Sequence, residues 1–159
     1  MFTNAHTITQ IETEKKLKQL RIFHKNVQSS GLKASLLGTD PKHDLALLKI
    51  EGGVPPPLKL GNSSGVREGE AVAFTGYPIG LVLGLNPTTH SGIISAISPI
   101  VLPPPSSRAV SRDIVEFLRQ PFDIFQIDAT AYPGSSGSPV YRISDGQVIG
   151  VINIMQACM

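Results

Sequence analysis

His6, Asp44 and Ser136 are residues whose types could together run acyl transfer. A serine hydroxyl is too weak an acid to attack a carbonyl unaided and needs a neighbouring base to take its proton. An imidazole serves if a carboxylate accepts its other ring N–H, fixing the tautomer and stabilising the imidazolium. Ser136 has a suitable setting. It stands in Asp128-Ala-Thr-Ala-Tyr-Pro-Gly-Ser-Ser-Gly-Ser-Pro-Val140, where one apolar run enters a turn containing Pro133, Gly134 and Gly137 and a second apolar run leaves it. Glycine tolerates positive φ and close backbone approach, so the N–H groups of Gly134 and Ser136 are expected to converge on a developing oxyanion. In this scheme His6 is the general base, Asp44 its orienting partner and Ser136 the nucleophile.

Each of the three has a plainer role open to it. His6 could be a satisfied polar residue at a strand end, Asp44 a turn residue bonded to its own backbone, and the Ser136 segment a polar surface turn. Their joint occurrence favours chemistry. His24 and His90 lack ligand-like spacing, so no metal site and no cofactor is expected. His43 has no part in the scheme and is expected to be exposed.

The elements that must position these residues read as strands. Thirteen prolines and fifteen glycines in 159 residues imply many turns, and 41% hydrophobic with 16% charged residues describes a globular chain. The net charge of +2 identifies no partner. The basic run Lys15, Lys16, Lys18, Arg21 reads as a solvated face, so no nucleic acid is expected. No segment has the length of a membrane span, and the single Cys158 identifies no compartment.

In order, residues 1–7 read as a strand end running into His6, and residues 8–19 as weakly helical, with Ile8 and Ile11 on one face. Strands follow at 18–24 and 32–37. Asp40 to Asp44 forms a turn, and the apolar run Leu45 to Ile50 suits a strand buried on both faces. Glu51 to Pro57, with two glycines and three consecutive prolines, marks a boundary between lobes at 1–57 and 58–159. Further strands are expected at 71–75, 91–97, 122–131, 139–143 and 147–154, with a hairpin turn at Ser144-Asp145-Gly146. Residues 111–119 are a helical candidate, and the prolines 103–105 suit a rigid loop. Many short strands with turns between them point to an all-β barrel or sandwich.

The order His, Asp, Ser is that of chymotrypsin rather than of subtilisin or the α/β-hydrolases. With Thr3-Asn-Ala-His6, Asp44-Leu-Ala-Leu-Leu-Lys-Ile50, Leu58-Lys-Leu-Gly61, the run Val66 to Gly76, Gly92-Ile-Ile-Ser95, Gln126-Ile-Asp-Ala129 and Gly134-Ser-Ser-Gly-Ser-Pro139, the chain resembles the trypsin-like serine proteases of the HtrA/Deg type. The resemblance implies a chymotrypsin-like double β-barrel with the triad in the cleft, and a serine endopeptidase acting on protein or peptide substrates. It also implies a specificity pocket floored near Thr130, with Pro133 beside the substrate, and small apolar side chains as the preferred fit. An extracytoplasmic, periplasmic location is implied by the family as well.

The sequence departs from the family pattern at Ser135, where asparagine is usual, and at Ser138, where glycine is usual; Ser138 would be strained if its position required positive φ. Only Met1 and Phe2 precede Thr3, where the family has further strands, and the closing segment after Asn153 differs. Both barrels are therefore expected to be incomplete. Oligomers are expected only of a full-length version. The alternative function is an inactive protease fragment acting at most as a peptide- or protein-binding barrel remnant.

Overall fold

The computed structural model describes residues 1–14, 20–23, 31–53, 56–78, 86–99 and 121–153. The helical candidate at 111–119, the prolines 103–105 and His24 lie outside them. Apart from one helix and a single 3-10 turn, the described chain is β-structure in two sheets.

The first sheet contains β1 (Phe2–Asn4), β2 (Leu20–Ile22), β3 (Leu32–Asp40) and β4 (Leu45–Ile50), in the order β1-β4-β3-β2 and antiparallel throughout. Helix α1 (Ala5–Glu14) follows β1 directly. His6 therefore lies in the first turn of a helix, not in a strand end as the sequence suggested. The helix is held by tertiary packing: Ala5 and Ile8, three residues apart and so on one face, are buried against Ala46 and Leu48 of β4.

In β4 the expectation of burial on both faces fails. Ala46 and Leu48 are buried, whereas Leu47 and Lys49 face outward, with Leu47 opposite Phe2 of β1. This is the period-2 alternation of a sheet covered on one side.

The second sheet contains β5 (Ala71–Gly76), β6 (Thr88–Pro99), β7 (Asp123–Ile127), β8 (Pro139–Arg142) and β9 (Val148–Val151), in the order β7-β6-β5-β8-β9. It curls around a core of Val66, Val72, Phe74, Ile94, Val140 and Ile149. The chain at Leu60 runs parallel to β9, with Gly61 N donating to Val148 O and Val148 N to Lys59 O. Neither sheet closes on itself among the described residues. The architecture is that of an incomplete chymotrypsin-like double barrel.

Candidate active site

Asp44 ends the turn from β3 to β4 and meets the start of α1 at several points. The amide of Ala5 donates to Asp44 O at 3.0 Å, and Asn4 Nδ2 donates to the same oxygen at 3.2 Å. The amide of His6 donates to Asp44 Oδ1 at 2.8 Å, and His6 Nδ1 lies 2.5 Å from Asp44 Oδ2. One carboxylate thus caps an orphan N–H of the helix start, where negative charge is favoured, and holds the ring of the residue bearing that N–H. Both side chains are partly buried, 35% and 23% exposed, which leaves the imidazole reachable.

To reach this position Asp44 adopts φ of +52°, and among the described residues it is the only non-glycine with positive φ. The plainer role foreseen for Asp44, a side chain folded onto its own turn, belongs to Asp40. That carboxylate accepts from the amides of Lys42 and His43.

Ser136 sits where two tight turns meet. Ser135 N donates to Tyr132 O at 2.9 Å and Ser138 N to Ser135 O at 3.1 Å. The third residue of each turn is a glycine, Gly134 with φ of +95° and Gly137 with φ of +85°. Pro133 takes the second place of the first turn, as suits a turn with positive φ at its third residue. Ser136 takes the second place of the other turn, at its outer corner.

Ile152 closes the segment from behind, accepting from Gly137 N at 2.9 Å and donating to Ser138 O at 2.8 Å. The amides of Ser135, Gly137 and Ser138 are thereby all spent. Those of Gly134 and Ser136 have no partner among the described residues.

The departures from the family pattern fit this geometry in different ways. Ser138 is not at positive φ; the two glycines take those positions. Its hydroxyl occupies space that a Cβ on Gly76 would fill. Ser135 is fully buried, and its Oγ has no hydrogen-bond partner among the described residues.

The two sheets meet at the site. A Cβ on Gly137 would lie 2.5 Å from Thr3 Oγ1 and 3.5 Å from Asn4 N, so the serine turn packs on the strand that leads into His6. Ser136 makes no hydrogen bond to His6 among the described residues. In ligand-free sites such bonds are often long and tighten with substrate. Thr130 and Pro133 are exposed beside the turn. The His90 ring stacks on Phe74, with centroids 5.3 Å apart, and lies 5.7 Å from the ring of Tyr132. Among the described residues no three His, Cys, Asp or Glu side chains group as a metal site requires.

Residues 1–151 match the trypsin-like peptidase domain. The chain belongs to that family. Its relatives there are of the HtrA/Deg type. A protein of Pseudomonas fluorescens named "Probable periplasmic serine endoprotease DegP-like" is 34% identical over 151 residues, 95% of this chain and 26% of its own length. A protein of the same name in Halomonas elongata is 39% identical over 121 residues, 76% of this chain and 21% of its own length. Among solved structures, the HtrA-type protease AlgW with a decapeptide superposes with a TM-score of 0.67 at 27% identity, covering 99% of this chain and 40% of that one. The trypsin-like chain thus spans about a quarter of the first relative's length.

Proposed function

We propose that this chain carries the catalytic machinery of a serine endopeptidase, with His6, Asp44 and Ser136 as its triad. The observation that carries the proposal is the 2.5 Å pairing of His6 Nδ1 with Asp44, just beyond β1, the strand against which the Ser136 turn packs. With Nδ1–H held by the carboxylate, Nε2 is the free base. It takes the proton of Ser136 as Oγ bonds to the scissile carbonyl carbon, and returns it to the leaving amine when the C–N bond breaks. The unspent amides of Gly134 and Ser136 stabilise the oxyanion. Water, deprotonated by the same imidazole, then releases the acyl group.

No step in this sequence uses a cofactor. Thr130 and Pro133 flank the peptide, and the small neutral Thr130 favours small apolar side chains. Residues 1–57 and 58–159 form the two lobes. The substrates are proteins or peptides, and the location is extracytoplasmic, as the relatives' names support.

A second reading, a protease remnant that binds peptides without turnover, is favoured by the missing Ser136–His6 hydrogen bond. A fluorophosphonate probe on the purified chain separates the two. Labelling of the wild type that disappears in both Ser136→Ala and His6→Ala is the expected result. Wild type that stays unlabelled while folded would sink the triad and leave the remnant.

A further inference from the structure

Beside the His6–Asp44 pair the same turn carries a second carboxylate–imidazole pair. Asp40, the last residue of β3, accepts from the amides of Lys42 at 3.1 Å and His43 at 3.2 Å through Oδ1. Its other oxygen lies 2.6 Å from His43 Nδ1. One carboxylate thus clamps the turn through backbone and side chain together, and that turn ends in Asp44. A non-glycine residue keeps a left-handed backbone only where surrounding bonds over-determine it.

The His43 ring also reaches the other sheet. It lies 4.5 Å from the ring of Phe122, tilted by 55°, and Phe122 immediately precedes β7. Lys42, His43, Asp44, Phe122 and Asp123 share the wall of one cavity of about 790 Å3. Among the described residues, the charged groups that line this cavity with His43 are Lys42, Asp44 and Asp123, and Asp40 pairs with its ring.

We infer that Asp40 and His43 are positioning residues for Asp44. They keep its carboxylate on His6, and through Phe122 they tie the turn to the sheet whose strands carry the Ser136 segment. This inference rests on the triad reading given above. Neither residue touches reacting atoms. Asp40 and His43 are 50% and 40% exposed, and an exposed ion pair contributes little to overall stability. Their removal should consequently disturb the site and not the fold.

The test compares wild type with His43→Ala, Asp40→Ala and His43→Gln, which keeps an N–H for Asp40. Two readouts are used: the proton resonance of His6 Nδ1, and the rate of fluorophosphonate labelling of Ser136. Wild type should show a strongly downfield resonance. The two alanine variants should lose it or move it upfield and label up to about 10²-fold more slowly, the scale on which misplaced catalytic groups act. His43→Gln should recover the resonance and most of the rate, with melting temperatures little changed throughout.

Alanine variants that keep the resonance and rate of wild type would overturn the inference, as would wild type without the resonance. If the resonance behaves as expected but Ser136 is never labelled, the nucleophile assignment fails and the positioning role stands.

Discussion

Asp44 carries two demands that most residue types cannot meet together, a carboxylate for His6 and a backbone at φ of +52°. Aspartate and asparagine tolerate the left-handed region better than other non-glycine residues. Asp44→Asn should therefore keep the fold, as read by circular dichroism, and lower kcat by about 10⁴ through loss of the correct tautomer. Asp44→Val should in addition lower stability by about 1–3 kcal/mol, measured by urea denaturation, because a β-branched residue is strained at that φ. Ser136→Ala should leave stability unchanged and reduce kcat on a peptide substrate by about 10⁶. Substantial residual turnover would remove Ser136 from the nucleophile's role.

The elements position the site by backbone contacts that leave no space for extra atoms. Gly76 on β5 faces the hydroxyl of Ser138, and Gly137 faces Thr3 of β1. Gly76→Ala should destabilise by about 1–3 kcal/mol, the usual cost of overpacking. Ser138→Gly introduced with it should recover most of that loss, since the clash is with the serine hydroxyl. Additive effects of the two substitutions in a thermal or urea double-mutant cycle would show that the two residues do not share this contact.

Strand alternation made β2 legible in the sequence, apolar runs between turn signals did so for the strands of the second sheet, and turn chemistry located Gly146, which has φ of +69° after β8. Helix α1 was harder to read. Its start is stabilised by an aspartate distant in sequence and by burial of Ala5 and Ile8, and local periodicity carries neither signal.

At the scale of the whole molecule, pH should act in two ways. Acidification should abolish labelling of Ser136 as His6 takes up a proton and ceases to be a base. It should also cost stability through Asp40, whose hydrogen bond from the His43 side chain holds its carboxyl below the ordinary value of 3.8. A carboxylate depressed in the folded state contributes stability above its unfolded pKa, and the contribution is lost as pH falls through the folded value. Because the pair is exposed its contribution is small, so wild type should exceed Asp40→Asn only slightly in urea midpoint at neutral pH and match it in strong acid. A difference that persists unchanged in acid would show that the pairing is not the source.

His6, Asp44, Ser136 and the two glycines of the serine turn were legible from residue type and order, because the chemistry admits few side chains and the turn needs positive φ at fixed places. The all-β class followed from alternation and from the density of turn residues. Tertiary structure alone decided how Asp44 meets the imidazole: the approach of α1 to the end of the β3–β4 turn lets one carboxylate take both the amide and the ring of His6. It also decided that Ile152 holds the serine turn and that Leu47 faces outward. A partner's backbone oxygen leaves no mark in a sequence, and an apolar run reads the same whether one face or both are covered.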